Sequence, residues 1–496
     1  MRDLIQHPLW QAKDLGAPIP DSPHAVSVCL PTWQDNVGYE EQDPRVHERL
    51  STGYPRFVYN RFCRDLFEDC EVQFAHPGEA CQVYPSRPAA ERCAAFLRAR
   101  SEGPVHTEAL GRHGTLTVCF SQRDAGLARD YWQHTGEGIS SRQAEVCLVG
   151  GPTVDGTEAK TLLSERIAAC AGVGAQDILL FPCGMTALFT LHRVLRDLFP
   201  GRKSVQFGFP YVDTLKVQEK FGAGVHFWPR GDSAELQQLR RVLEQEPVSG
   251  LYTEFPTNPL LVSPDIECLA DLARRYECPL IVDDTVAGFV NADLLPAADV
   301  ICSSLTKTFS GIGNVTGGSL VLNPSGPFYE ELSLRLRQAA VGNDVIWGAD
   351  AVVLEQNSRD FQRRVRCMNE NAEALADFLD RQPNVAEVFY PKYQTAEMYR
   401  AFRRAKGGYG CLMSISFVDA ARSAPRFFDA LRVNKGPNLG TNYTLACPYT
   451  ILAHYRELDF AESCGVSRFL VRVSVGLEDS DDLIERFHEA LAAIQA

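Results

Sequence analysis

Short apolar runs alternate with helical patterns between residues 178 and 303, and this alternation limits the fold more than any other feature. The helical patterns include residues 186–198 and the stretch after Asp265, where apolar residues keep helical spacing. Strands that alternate with helices predict a mainly parallel sheet covered by helices, with ligands at the carboxyl ends of the strands. Five runs have the length of buried strands: residues 178–181, 204–209, 250–255, 278–283 and 299–303.

The regions on either side of this pattern differ from it. Residues 1–150 contain many prolines and short elements, so we expect an N-terminal arm and extension without an independent domain. Residues 151–330 form the predicted large domain. Residues 331–496 are rich in helical patterns, and they end with a strand at 469–475 and a helix whose predicted N-cap is Ser480. They are predicted to form a smaller α+β domain.

Composition argues against several classes of protein. A chain of 496 residues suits two or three domains, and 63 acidic against 49 basic residues give a net charge of −14. Such an acidic surface argues against binding to nucleic acid or to a membrane surface. The 16 cysteines form no Cys-x-x-Cys pair and the histidines lack metal-ligand spacing, so we expect no metal. No secretory signal or long apolar stretch is visible, which predicts a cytoplasmic protein.

One lysine stands out because hydroxyl side chains surround it just after a predicted strand. Lys307 follows Ser304 and Thr306, and several glycines come after it. Such a lysine can form an imine with an aldehyde cofactor while the hydroxyl groups bind the phosphate of that cofactor. A surface lysine in a loop of serine and glycine is the alternative, which this motif alone does not exclude.

Two further polar residues precede this lysine at the ends of predicted strands. Asp283 ends the strand at 278–283, where its carboxylate could pair with a protonated pyridine nitrogen and keep the ring an electron sink. Asn258 could donate to the phenolic oxygen of the same ring. The alternatives are an acid that caps a loop and a turn residue before proline.

Three motifs, taken in order, carry a resemblance to a known family. They are Glu254-Phe-Pro-Thr-Asn-Pro259, Val282-Asp-Asp-Thr285 and Ser304-Leu-Thr-Lys307. Together they resemble the Cys/Met-metabolism family of pyridoxal-phosphate enzymes, with the fungal cystathionine γ-synthase-like enzymes as the nearest members, over about residues 130–496. The resemblance implies pyridoxal 5′-phosphate as cofactor and an aspartate-aminotransferase-like α/β fold of type I. That fold has a mainly parallel seven-stranded sheet sandwiched by helices, plus a smaller α+β C-terminal domain.

The resemblance implies roles for further residues. Gly184 and Met185 would bind the phosphate with their backbone N–H groups at the start of a helix, which favours an anion. Tyr211 would stack on the cofactor ring, and Lys307 and Tyr211 are the predicted catalytic residues. Arg472 would bind the α-carboxylate of the substrate through two parallel hydrogen bonds. The alternatives are an ordinary strand-to-helix turn, a core tyrosine and an arginine that pairs with a neighbouring acid.

The chain departs from the family pattern at two places. Asn438 stands where the family has a serine beside the substrate carboxylate, so substrate choice can differ. The family's Tyr-Ser-Arg, which reaches the phosphate of a neighbouring subunit, has no full counterpart. Ser140-Ser-Arg142 keeps part of it in the expected region, whereas Tyr54-Pro-Arg56 lies far upstream. We therefore favour Arg142 over Arg56 for this role.

The activity that the resemblance implies is γ-substitution on an O-acyl-L-homoserine. Cysteine is the first choice of acceptor and would give cystathionine. A carbon or nitrogen nucleophile of fungal specialised metabolism, or a γ-lyase reaction, is the alternative. An NAD(P)-binding dehydrogenase is a remote one, because Gly311-x-Gly313 followed by Gly317 lacks the required spacing. The family also implies a homo-oligomer, a dimer of dimers, that acts on small amino acids.

Overall fold

The computed structural model describes residues 2–340 and 346–494. Four short 3₁₀ helices lie at Ala12–Asp14, Gln122–Asp124, Ala175–Asp177 and Tyr455–Glu457. Within the described ranges, the helices are too short or too polar to cross a membrane.

An arm of residues 2–60 lies along the C-terminal part of the chain. It contains only two α-helices, α1 (Trp33–Glu41) and α2 (Pro44–His47). The Leu9 N–H donates to Asn434 Oδ1 at 2.9 Å, and the Leu30 N–H donates to the Lys435 carbonyl at 3.0 Å. These buried backbone bonds fix the arm at both of its apolar stretches.

A small α/β unit follows the arm. Its three strands form an antiparallel sheet in the order β1-β3-β2. The sequence predicted no independent domain here, because the buried faces of this unit consist largely of alanine and cysteine and give a weak apolar pattern. The elements are α3 (Arg61–Phe74), β1 (Glu79–Tyr84), α4 (Arg87–Arg98), β2 (Val105–Ala109), β3 (Leu116–Ser121), α5 (Ala125–Thr135) and α6 (Ser141–Val149).

The next region contains the predicted seven-stranded sheet. Its helices are α7 (Thr157–Ala171), α8 (Gly184–Leu198), α9 (Val212–Phe221), α10 (Ser233–Leu243), α11 (Ile266–Arg275), α12 (Gly288–Asn291) and α13 (Tyr329–Ala340). Its strands are β4 (Ile178–Phe181), β5 (Ser204–Phe207), β6 (Val225–Trp228), β7 (Leu251–Glu254), β8 (Leu280–Asp283), β9 (Val300–Ser304) and β10 (Gly318–Leu322). The sequence predicted five of these strands, and it missed β6 and β10.

The strand order of this sheet is β4-β10-β9-β8-β7-β5-β6. The strands from β9 to β6 are parallel, and β10 runs antiparallel to both of its neighbours. Alternate residues of one strand face different apolar cores: Ile281 packs with α8, whereas Leu280 and Val282 belong to the larger core on the other side. Helices therefore cover both faces of the sheet, which confirms the predicted fold class.

The C-terminal region is a second, smaller α+β layer. Its five strands have the order β11-β12-β15-β14-β13, and only β13 and β14 pair in parallel. The last helix begins one residue after Asp479, whose carboxylate accepts the N–H groups of Asp481 and Asp482, so the prediction of Ser480 as N-cap is wrong. The elements are α14 (Gly348–Asn357), α15 (Phe361–Leu379), β11 (Val385–Phe389), α16 (Ala396–Phe402), β12 (Leu412–Phe417), α17 (Ala420–Ala430), β13 (Asn434–Lys435), β14 (Leu445–Pro448), α18 (Tyr449–His454), α19 (Leu458–Ser463), β15 (Val471–Ser474) and α20 (Ser480–Ala492).

Candidate active site

One cavity lies at the carboxyl ends of β7, β8 and β9, where a parallel sheet places its ligands. Walls from the arm and from the small N-terminal unit enclose it. Almost all predicted site residues line it together, and Asn438, which is outside the lining, contacts Lys307 directly. The predicted residues that line it are Arg142, Gly184, Met185, Tyr211, Asn258, Asp283, Ser304, Thr306, Lys307 and Arg472.

Lys307 presents a buried amine to this cavity. Its Nζ donates to Tyr54 Oη and to Asn438 Oδ1, each at 2.7 Å. Burial lowers the pKa of Lys307, although Tyr54 opposes this shift. A lowered pKa increases the share of neutral, nucleophilic amine, which is the form that imine chemistry requires.

Tyr54 is a site residue that the sequence placed too far away. Burial raises the pKa of its phenol, but the cations Lys307 and Arg56 outweigh burial, and the net pKa lies below the ordinary tyrosine value. A lowered pKa increases the share of phenolate, which is the form that can accept a proton. The cavity therefore holds two groups, 2.7 Å apart, that can exchange protons with a substrate.

Arg472 is a buried cation that has no acidic partner among residues 2–340 and 346–494. Its Nη2 donates to the Pro437 carbonyl at 2.7 Å, and its Nη1 donates to Asn258 Oδ1 at 3.2 Å. No aspartate or glutamate in the described ranges forms an ion pair with it, so the alternative of an arginine that neutralises a nearby acid is wrong. A buried guanidinium of this kind is suited to an incoming carboxylate.

Two amide side chains beside Arg472 have free donor groups. Asn258 accepts from Arg472 through its oxygen, which leaves its NH₂ group to face the cavity. Asn438 is also fully buried, and its Nδ2 has no hydrogen-bond partner within residues 2–340 and 346–494. Because a buried polar group without a partner costs stability, this NH₂ group marks a place for a ligand acceptor.

Asp283 is the acid at the end of β8. Its Oδ1 accepts the Thr285 N–H at 2.8 Å, and burial raises the pKa of the carboxyl. A protonated ring nitrogen would supply the positive charge that this carboxylate lacks.

The start of α8 has the features that an anion site requires. The helix begins after Cys183, and in the described structure the side chain of Cys183 does not cap the N–H groups of the first turn. Gly184 lies so close to the end of β9 that a Cβ there would be 3.0 Å from Ser304 Cβ. Backbone amides and the Ser304 hydroxyl thus face one small space, as a phosphate requires. Thr306 lines the same cavity, although its Oγ1 also bonds with Gly317.

Arg56 connects this anion site with Tyr211. Its Nη2 donates to Tyr211 Oη at 2.9 Å, and its Nη1 forms an ion pair with the buried carboxylate of Asp213. It also lies near enough to Cys183 for the two groups to influence each other electrostatically. His134 Nδ1 contacts Asp213 from the other side at 2.9 Å.

Arg142, which the sequence favoured for the phosphate, has different partners. Its Nη1 donates to Asp350 Oδ1 at 2.9 Å, and its Nη2 donates to the Asn314 carbonyl at 2.8 Å. It lines the cavity, but its charge is matched by that of Asp350. The role of Arg142 in binding the phosphate stays a prediction.

These groups match the parts of pyridoxal phosphate one by one. The uncapped start of α8 fits the phosphate, Asp283 fits the ring nitrogen, and the Asn258 NH₂ group fits the phenolic oxygen. Lys307 fits the aldehyde, and Asn438 has a free donor nearby. The donor set therefore agrees with the cofactor that the sequence motifs predicted.

Comparison with known families agrees with this geometry. The family model for Cys/Met metabolism PLP-dependent enzymes matches residues 154–492. The chain belongs to this family. A second model, the N-terminal domain of fungal trans-sulfuration enzymes, matches residues 62–140, which include most of the small N-terminal unit. Family membership confirms the predicted cofactor, pyridoxal 5′-phosphate, and leaves no support for a dinucleotide dehydrogenase.

Several relatives are similar over nearly their whole length. The cystathionine γ-synthase-like enzyme iboG2 of Amanita muscaria is 37% identical, with 97% of this chain and 96% of the relative covered. The cystathionine γ-synthase of Neurospora crassa is 35% identical, with 96% and 98% covered. The crystal structure of metB from Corynebacterium glutamicum has 26% identity and a TM-score of 0.59, and the match covers 66% of this chain and 84% of that chain.

Proposed function

We propose that this enzyme carries out γ-substitution on an O-acyl-L-homoserine. The observation that carries the proposal is that the Lys307 amine and the Arg472 guanidinium line the same cavity. Arg472 forms no ion pair with an acid among the described residues, so it is available for a substrate carboxylate. Arg472 and the free NH₂ group of Asn438 would bind the α-carboxylate, which directs the α-carbon of an amino acid towards Lys307.

The residues around Lys307 suit a reaction with repeated proton transfers. Replacement at the γ-carbon requires removal of one proton from the α-carbon and one from the β-carbon before the acyloxy group leaves. When bound, pyridoxal phosphate supplies the electron sink for these two steps. Tyr54 would accept the proton of the substrate ammonium group, and the Lys307 amine would move protons at the α- and β-carbons. Asp283 would hold the proton at the ring nitrogen.

Cysteine is the acceptor that we propose first, with cystathionine as product. Relatives named cystathionine γ-synthase from Neurospora crassa and Saccharomyces cerevisiae support this choice. Asn438 favours a second candidate, because it replaces a short hydroxyl with a longer amide that holds Lys307 at 2.7 Å. A carbon or nitrogen nucleophile is that second candidate.

The acceptor can be tested by the mass of the product. Purified enzyme is supplied with O-acetyl-L-homoserine and cysteine, then with the same donor and a β-keto acid. Cystathionine is expected in the first reaction, with no product in Lys307→Ala, which serves as the matched control. If a product forms only with the β-keto acid, the acceptor is a carbon nucleophile and not cysteine. Release of ammonia and an oxo acid without any acceptor would show a γ-lyase instead.

We also propose that Tyr54 and Arg56 complete the site from within the same chain. The support is the contact of Tyr54 with Lys307, across 253 positions of sequence, and that of Arg56 with Tyr211. Arg56 rather than Arg142 would then serve the phosphate. Assembly into a dimer of dimers stays part of the proposal, but its partner subunit would not supply these two residues.

A further inference from the structure

One buried acid in the cavity has no part in the chemistry described so far. Glu254 is the last residue of β7, in register with Asp283 on β8, and it is 5% exposed. Its Oε1 accepts the backbone N–H of Tyr211 at 2.6 Å, and its Oε2 accepts that of Asn258 at 3.2 Å. One carboxyl group therefore holds the backbone of two residues that face the cofactor.

The surroundings of Glu254 contain acids and neutral groups. Asp283 faces it from β8, Cys302 from β9 and Tyr449 from α18. In the part of the chain that the structure describes, no lysine, arginine or histidine forms an ion pair with it. Burial, and then the charge of Asp283, raise the pKa of Glu254 well above its usual range. Two neighbouring buried carboxyl groups repel each other when both are ionised, which favours a state in which the pair carries one negative charge.

The contacts indicate which of the two acids keeps the proton. Asp283 is the less buried of the pair, since it opens towards the cavity and accepts the Thr285 N–H at 2.8 Å. Glu254 lies beside it on the neighbouring strand and is the more buried of the two.

We propose that Glu254 is a positioning residue, kept as a neutral acid, that fixes Tyr211 and Asn258 and leaves the negative charge of the pair on Asp283. An ionised Glu254 would compete with Asp283 for the proton of the cofactor ring. A neutral Glu254 would hold Tyr211 and Asn258 through their backbone N–H groups without competing for that proton. The inference requires the family's cofactor but neither the proposed donor nor the proposed acceptor.

Infrared spectroscopy of the holoenzyme tests the protonation state. The difference spectrum between wild type and Glu254→Gln at pH 7 should contain the stretching band of one protonated carboxyl group, which shifts on exchange into D₂O. The visible absorbance of the cofactor is then titrated with pH in both proteins. Because both side chains are neutral, the midpoint of this titration should stay within about 0.3 pH units.

The positioning role is tested by a second variant and a matched control. Glu254→Ala leaves two buried N–H groups unpaired, so the Kd for pyridoxal phosphate should rise about tenfold or more. Glu254→Gln should restore part of the loss, because its amide oxygen can accept one of the two N–H groups. Glu235 is equally buried and accepts the Gly231 N–H at 2.8 Å on α10, away from the cavity. Glu235→Ala should therefore leave both the Kd and the visible spectrum unchanged.

Three outcomes would overturn the inference. The first is a difference spectrum with carboxylate bands and no protonated-carboxyl band. The second is a midpoint that moves by about one pH unit in Glu254→Gln, as expected when a negative charge beside the ring is removed. The third is a Kd in Glu254→Ala equal to that in Glu235→Ala. If Glu254→Ala does not fold, the spectra of Glu254→Gln still decide the protonation state.

Discussion

Whether each active site is completed by its own chain can be decided by mixing two inactive variants. Lys307→Ala removes the amine, and Arg56→Ala removes the cation that contacts Tyr211 and Asp213. In the family arrangement, the arginine of one subunit reaches the phosphate in the active site of its neighbour. A mixed dimer would then have one site with both defects and one site with neither. With the contacts seen here, both sites of the mixed dimer carry one defect, and no activity should return.

The expected magnitudes separate these two arrangements. Random association of equal amounts of both chains gives half mixed dimers, each with one intact site of two. The family arrangement thus predicts about a quarter of the wild-type activity. If Lys307 and Arg56 of one site come from the same chain, the mixture should have no more activity than Lys307→Ala and Arg56→Ala have separately. Arg56→Ala also leaves the buried Asp213 carboxylate with His134 as its main partner, which costs about 3–5 kcal/mol of stability.

Because of this loss of stability, the experiment also needs a variant that disturbs the fold less than Arg56→Ala. Tyr54→Phe removes only the hydroxyl that accepts from Lys307, which lowers activity by about tenfold or more. The two chains carry different affinity tags, are expressed together, and are purified over both tags, so that only mixed oligomers are assayed. Light scattering gives the oligomeric state of each preparation, and a monomer would agree with completion in one chain. Recovery of about half the wild-type activity per mixed dimer would refute the reasoning.

Three further changes have defined outcomes. Lys307→Ala should abolish the visible band of the imine, and reduction with borohydride should label Lys307 in the wild type alone; a label elsewhere would contradict the assignment. Arg472→Lys should raise the KM for the amino-acid donor about tenfold or more with a smaller effect on kcat, because it loses the planar fork that binds carboxylates. Burial lowers the pKa of Lys435 to about 7, so the unfolded state binds more protons above that pH. The free energy of unfolding should therefore rise with pH between 7 and 10, by up to about 1.4 kcal/mol per pH unit, and Lys435→Met should flatten this slope in denaturant titrations.

The part of the site that lies on the sheet could be predicted from the sequence because its signals are local. Asp283 ends a short apolar strand and Lys307 comes soon after another, and parallel strands bring their carboxyl ends to one edge. The start of α8 could be predicted for the same reason, since only Pro182 and Cys183 separate Gly184 from the end of β4. Such neighbours can be read from the order of the elements, because consecutive strands of a parallel sheet usually lie side by side.

The part of the site that comes from the arm had no such signal. Tyr54 reaches Lys307 only because residues 2–60 are fixed on the C-terminal strands and then lead into a separate unit. That unit was missed because alanine and cysteine line its core, and a hydropathy pattern built on large aliphatic residues is weak there. Tyr54-Pro-Arg56 has the spacing of the family's Tyr-Ser-Arg. However, no local pattern in the sequence indicates that this segment folds back onto the sheet next to Lys307.

The contacts of Asp213 explain why this N-terminal region belongs to the active site. Asp213 is completely buried at the start of α9, and it pairs with Arg56 from the arm and with His134 from α5 of the small unit. A buried carboxylate needs these partners, because burial alone would raise its pKa, whereas Arg56 and His134 lower it. Arg56, which contacts Tyr211, is thus held in place by the carboxylate of Asp213. The same carboxylate contacts His134 and so holds the N-terminal unit against the sheet. If Tyr211 stacks on the cofactor ring, as the family resemblance implies, this aspartate would link cofactor binding to docking of the N-terminal unit.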